Sequence, residues 1–177
     1  MEKKARPRKT LYEGKYVRLI GEEGWEFVER ANCTGIVMMV GMTDDRKVVL
    51  VEQHRVPVGC AVIEFPAGLV NDCAAFKGET LEAAARREYE EETGYRPMKM
   101  ELIMEGPASA GLSTNLVTIF RASGLKKVSA GGGDLLESIT VHEVPLDQTE
   151  TWLAAMHKRG FLIDPKVYAG LYFLNRP

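Results

Sequence analysis

Apolar and polar positions alternate with a period of two over much of the first third of the chain. Strands are expected over 14–20, 25–30, 34–42 and 46–53, split by turn signals at 21–24 and at Thr43, Asp44 and Asp45. A short strand over 60–65 is stopped by Pro66 and Gly68. The period then changes to a helical one over 80–93, with Thr80 placed to cap the start and Gly94 placed to end it. Strand patterns resume over 98–104, 116–122 and 138–144. Two helices close the chain. Asp147 with Glu150 makes a capping-box pattern for the first and Gly160 ends it, while Asp164 and Pro165 open the second. Strands, one central helix and closing helices predict an α/β (α+β) architecture, a mixed sheet covered by helices. Residues 11–177 read as one domain, preceded by a basic arm over 1–10 that is solvated or meets a phosphate or a partner. Within the domain the glycine run 131–133 is the one flexible stretch the pattern predicts.

The central helix contains the sharpest local conflict. Leu81, Ala84, Ala85 and Tyr89 form an apolar stripe, and its spacing calls for apolar residues at 88 and 92. Glu88 and Glu92 stand there instead, with Glu91 beside them. Carboxylates at this spacing repel one another. They also lie at the carboxyl end of the helix, where the macrodipole costs each about 0.3–1 kcal/mol. Both penalties call for a cation, and carboxylate oxygens suit a hard one such as Mg²⁺ or Mn²⁺. The plainer reading is a solvated acidic face paired with Arg86 and Arg87. It accounts for Glu82 with Arg86 and for Glu90, whereas Glu88 and Glu92 share the phase of the apolar stripe.

Composition narrows the classes. The apolar share of 45%, charged share of 27% and net charge of −2 fit an ordinary globular chain and give no basic field for nucleic acid. Cys33, Cys60 and Cys73 fit no metal or CxxC spacing and read as reduced thiols. The longest apolar run, 35–42, is far short of the roughly 20 residues of a membrane span. No apolar stretch follows the basic start as a secretory signal requires. A cytoplasmic protein without a membrane contact is expected.

The segment GETLEAAARREYEEETGY (78–95) closely resembles the Nudix box, the signature of hydrolases that act on nucleoside diphosphates linked to another moiety. Glu79, Arg87, Glu88, Glu91, Glu92 and Gly94 fall at the box spacing. The box normally starts with a glycine five residues before its first Glu; here Gly68 has ten residues between it and Glu79, which places a loop insertion within 70–77. Flanking segments, VVLVEQHRVPVG and IEFPAGLV, are similar to the ADP-ribose pyrophosphatase and nucleoside-diphosphate-sugar hydrolase branch. A proline that this branch often carries past the box is replaced here by Ala108, Ser109, Ala110, Gly111 and Leu112.

That resemblance implies an αβα sandwich whose amino-terminal β extension, 11–33, builds a homodimer. It also implies attack of water on a pyrophosphate phosphorus, chemistry that rests on positioning and charge neutralisation. Glu88 and Glu92 are implied as the principal metal ligands, Glu91 as a ligand or water-orienting neighbour, and the Ala67 carbonyl as a further donor. Glu79 with Arg87 is implied as the ion pair bracing loop against helix. The general base matches Glu137 on a loop hinged at 131–133, with Glu143 in reserve. Arg55 is placed to hold phosphates or to form a surface ion pair. Glu64 is placed to meet a ribose hydroxyl or a partner subunit, and Trp25 to stack on the base or to lie in the dimer interface. The three histidines show no ligand spacing. The implied activity is Mg²⁺-dependent (or Mn²⁺-dependent) cleavage of ADP-ribose or a related nucleoside diphosphate sugar. A silent nucleotide-sensing domain and an enzyme acting on (d)NTPs are the alternatives.

Overall fold

A computed structural model describes residues 7–133 and 138–176. The chain opens with a three-stranded antiparallel sheet of β1 (Lys9–Glu13), β2 (Val17–Glu22) and β3 (Trp25–Arg30). Next come β4 (Gly35–Gly41), β5 (Lys47–Arg55), β6 (Cys60–Glu64), β7 (Ala67–Val70) and helix α1 (Leu81–Thr93). Strands β8 (Tyr95–Pro107), β9 (Leu116–Lys127) and β10 (Ile139–Pro145) follow, then α2 (Thr149–Lys158), β11 (Leu162–Ile163) and α3 (Pro165–Leu174).

The strands after the first three form two mixed sheets. One has the order β7-β4-β9-β8 and is parallel only between β4 and β9; the other has the order β10-β5-β6-β11 and is parallel only between β6 and β11. Alternation along β4 shows how the layers stack. Val37 and Met39 pack with Val49 of β5 against Ala84, Ala85 and Tyr89 of α1. Met38 and Val40 pack with Val48 and Leu50 against Leu153 and Met156 of α2 and Val167 and Leu171 of α3. Strands apolar on both faces are what sheets covered on both sides require. The layering is α1, strands, then α2 with α3: the αβα arrangement expected.

Several element edges differ from the sequence expectation. β1 starts at Lys9, inside the segment read as an arm, and β2 starts at Val17 because the Gly14 N–H donates to the Val17 carbonyl and turns the chain first. β7 and β11 have only four and two residues, too few for a period to show. The capping box at Asp147 does not form. Leu146–Gln148 takes a 3₁₀ turn, α2 begins at Thr149, and the Thr149 hydroxyl donates to the Pro145 carbonyl at 2.9 Å. Asp164 does cap α3, accepting from the Lys166 N–H at 2.8 Å. Among the described residues no helix is long and apolar enough to cross a membrane.

Candidate active site

Helix α1 begins as its sequence requires, with the Thr80 hydroxyl accepting from the Ala83 N–H at 3.2 Å and Gly94 ending it in the left-handed region at φ 73°. Its buried residues are Ala84, Ala85, Tyr89, Glu92 and Thr93, so Glu92 continues the apolar stripe into the interior at 3% exposure. Leu81, at the other end of the stripe, is exposed. Glu82 pairs with Arg86 and Glu90 with Arg96 on the solvated side.

Two carboxylates are held against β7. Glu92 Oε2 accepts from the Ala67 N–H at 3.2 Å. The Glu88 carboxyl lies where a side chain at Gly68 would stand: a Cβ there would overlap it. Gly68 is therefore fixed by close approach, a role its place after Pro66 did not reveal. Glu91, one turn from Glu88 toward solvent, keeps 45% of its side chain exposed.

Arg87 stands at the centre of the charges. Its Nε and Nη2 reach both oxygens of Glu79 at 3.2 and 3.0 Å, a bidentate pair, and Nη2 also donates to the Leu69 carbonyl at 3.3 Å. Its Nη1 lies 2.9 Å from Glu88 and 3.1 Å from Glu91. The guanidinium carbon sits 3.8 Å from the centre of the Phe76 ring. Burial alone would lower the Arg87 pKa, but Glu79 and Glu88 outweigh it and raise it. Burial pushes the Glu79 carboxyl up, while Arg87 and the Asn71 N–H pull it further down, below the ordinary carboxylate value. The loop between β7 and α1 contributes to this brace: Asn71 accepts from the Gly78 N–H and donates to the Glu79 carbonyl, and the 3₁₀ turn Ala74–Phe76 supplies the ring.

The other sequence candidates lie in separate arrangements. Arg55 and Glu64 meet each other, Nε to Oε2 at 2.6 Å, so both alternatives for Arg55 start from an ion pair. Burial pushes the Glu64 carboxyl up, and Arg55 offsets this only in part. Glu143 accepts from the Tyr95 hydroxyl at 2.7 Å and pairs with Lys127 at 3.4 Å. Glu137 lies outside the described residues. Trp25, 64% exposed, borders a cavity of about 340 Å³ with Phe27, Ser113 and Thr114, and no described lining residue comes from α1 or β7. Of the three glycines read as a hinge, two donate to the end of α1: the Gly132 N–H to the Glu92 carbonyl at 2.8 Å and the Gly133 N–H to the Glu91 carbonyl at 3.1 Å.

Among the described residues no three acidic, histidine or cysteine side chains stand close enough to form a ready metal cluster. The donor set nevertheless fits a hard divalent cation. Glu92 and Glu88 converge on the Ala67–Gly68 backbone, all donors are oxygens, and the cradle at Gly68 admits the Glu88 carboxyl.

A family model of the NUDIX domain matches residues 34–160. The chain is 33% identical over 142 residues to the methanol dehydrogenase activator of Bacillus methanolicus, covering 80% of this chain and 72% of that one. It is 32% identical over 135 residues to the ADP-ribose pyrophosphatase of Bacillus subtilis, covering 71% and 68%. The fold superposes on the crystal structure of an ADP compounds hydrolase with a TM-score of 0.70 at 19% identity, over 96% of this chain and 90% of that one. With its box on α1, the match over most of its length and these relatives, the chain belongs to the Nudix family of hydrolases, in the ADP-ribose pyrophosphatase branch.

Proposed function

We propose that the protein is a Mg²⁺-dependent hydrolase that splits the pyrophosphate of ADP-ribose or a related nucleoside diphosphate sugar into a nucleoside monophosphate and a sugar phosphate. The observation that carries this reading is the acidic turn of α1 seated on β7, with Glu92 buried on the Ala67 N–H and Glu88 in the cradle of Gly68. A structural helix has no use for two carboxylates on its buried face. A bound divalent ion would neutralise phosphate charge and polarise the attacked phosphorus.

The chain's own groups set the rest. The Ala67 N–H fixes Glu92, and the Arg87–Glu79 brace fixes the angle between helix and loop. Arg87 also holds Glu88 and Glu91 in check until a cation competes for them. Arg55 exchanges Glu64 for substrate phosphate oxygens, a contact its planar fork favours, and releases Glu64 toward a ribose hydroxyl. Glu137 takes the proton from the attacking water as a new P–O bond forms, and the bridging P–O bond breaks with its electron pair on the leaving phosphate.

Incubation with Mg²⁺ and a panel of ADP-ribose, ADP-glucose, GDP-mannose and dGTP, with products separated by chromatography, tests the reading. Cleavage of the diphosphate-linked sugars is expected. Glu92→Gln should lower turnover by about a thousandfold, because stabilisation worth several kcal/mol is lost, while the circular dichroism spectrum and thermal midpoint stay near wild type. Near-normal turnover of that variant would overturn the metal assignment. Tight binding of one ligand without cleavage would replace the enzyme by a sensor.

A further inference from the structure

Four carbonyls at the end of an α-helix have no partner within it and must be satisfied from elsewhere. In α1 each has a donor. Glu90 O accepts from Gly94 N at 2.9 Å, Glu91 O from Gly133 N at 3.1 Å, Glu92 O from Gly132 N at 2.8 Å, and Thr93 O from Lys127 Nζ at 3.0 Å. Two of these donors come from the segment that follows β9, and a third, Lys127, is the last residue of β9 itself. That segment is stitched down further: Val128 N and Ser129 N donate to Gly94 O, and Gly131 N donates to Ser129 Oγ at 3.2 Å.

The geometry explains three consecutive glycines. Gly131, Gly132 and Gly133 all have positive φ, at 72°, 112° and 81°, a run that residues with side chains do not sustain. A Cβ on Gly131 would stand 2.6 Å from Glu92 O and 2.5 Å from Thr93 C. Glu92 is thereby fixed at both ends, its carboxylate by the Ala67 N–H and its carbonyl by the Gly132 N–H. The Gly132 carbonyl in turn accepts from Ile139 N at 3.2 Å, so the start of β10 is tied to the same residue. Two N–H dipoles and the Lys127 ammonium also oppose the negative end of the helix dipole, which would otherwise raise the cost of ionised Glu88, Glu91 and Glu92.

We propose that the Gly131–Gly133 strap and Lys127 are positioning residues for the metal-binding turn: by capping α1 they place Glu91 and Glu92 and lower the cost of their charge, so that divalent-cation affinity is set from the connection after β9. This rests on the reading of Glu88 and Glu92 as metal ligands. Partners that orient metal ligands in this way typically change metal affinity by about 10–100-fold when removed.

The test is titration of nucleotide-free protein with Mn²⁺ alone, read by electron paramagnetic resonance, beside the thermal midpoint and amide hydrogen exchange. Gly131→Ala is expected to weaken Mn²⁺ binding about tenfold or more and to expose the amides of Gly132 and Gly133 to exchange. Gly160→Ala is the control. Gly160 also has a positive φ, 95°, but open space around it, so the variant suffers the same backbone strain while Mn²⁺ affinity stays at the wild-type value. Lys127→Met, which removes the donor to Thr93 O without backbone strain, should weaken Mn²⁺ binding severalfold and carries the test should Gly131→Ala fail to fold. Wild-type affinity in Lys127→Met and in folded Gly131→Ala would overturn the proposal. Glu92→Gln separates the two layers: if it too binds Mn²⁺ as wild type does, the metal assignment itself falls and the strap proposal with it.

Discussion

Tyr89 crosses the core between α1 and β4 so closely that its hydroxyl fills the space a side chain at Gly41 would need. The ring is fully buried, and among the described residues the hydroxyl has no hydrogen-bond partner. Burial pushes its pKa up, so it stays neutral. Removing an atom on one side of this contact and adding one on the other gives opposite outcomes. Tyr89→Phe should leave stability unchanged or raise it by up to about 1 kcal/mol, because an unpaired buried hydroxyl is lost. Gly41→Ala should cost about 3 kcal/mol or more, since backbone and ring cannot both yield. Chemical denaturation of both variants checks the pair. Glu79 adds a pH-dependent term. Its folded pKa lies below the ordinary value of about 4.3, so its contribution is complete above that value and is lost as pH falls through the lower folded one. Glu79→Gln should therefore be less stable than wild type at pH 7, by roughly 1.5–3 kcal/mol, and the two should converge toward pH 3 in a series of thermal melts. Glu64 runs the other way. Burial raises its folded pKa, so its contribution is complete below the ordinary value and fades as pH rises through the folded one.

At the scale of elements, Gly68 lets β7 and α1 approach closely enough for the Glu88 carboxyl to lie against the strand. Gly68→Ala would drive Glu88 out of its cradle. We expect about a hundredfold loss in turnover with α1 intact by circular dichroism, and a higher Mg²⁺ concentration needed for half-maximal rate. Period and capping made α1 legible from sequence to its first and last residue, because its stripe, Thr80 and Gly94 are all local signals. β3 was legible too, since Trp25, Phe27 and Val28 favour a strand directly after the turn signal at 21–24. What stayed hidden depends on contacts between distant segments. β7 is four residues long and exists because it pairs with β4; β8 runs on to Pro107 because β9 lies beside it. Phe76 under Arg87, the Tyr95–Glu143–Lys127 network and the glycine strap likewise join residues far apart in the chain. The phase of Glu88 and Glu92 was visible, since a helix repeats it within one segment. That Glu64 is the partner in the ion pair open to Arg55 was not, since the pair crosses two strands.

At the scale of the whole molecule, the amino-terminal sheet departs from what a lone chain needs. It meets the body through β3, where the Val28 N–H donates to Leu112 O and the Thr114 N–H to Val28 O. Ile20 is buried, yet Leu11, Tyr12, Tyr16, Val17 and Trp25 are exposed, Tyr12 and Trp25 at 64% each. Met98, Leu102 and Met104 add further exposed apolar surface on β8. Several exposed apolar side chains on one small sheet, as on β1–β3, favour an association surface. We propose that β1–β3 pack against a second copy of the chain in a two-fold homodimer, the common arrangement for soluble assemblies. Sedimentation equilibrium should then return about twice the 19.7 kDa chain mass. Leu11→Asp with Tyr12→Asp places two charges on the strand that lies over Gly21, and should shift the protein to a single chain without disturbing α1 or its carboxylates. The consequence for function follows from where Trp25 lies. Its cavity shares no described lining residue with the acidic turn, so loss of the second copy should raise KM for the nucleotide more than it lowers kcat. A wild-type protein that sediments as one chain at the concentration of the activity assay would remove the dimer, and with it any role for a second copy in binding substrate.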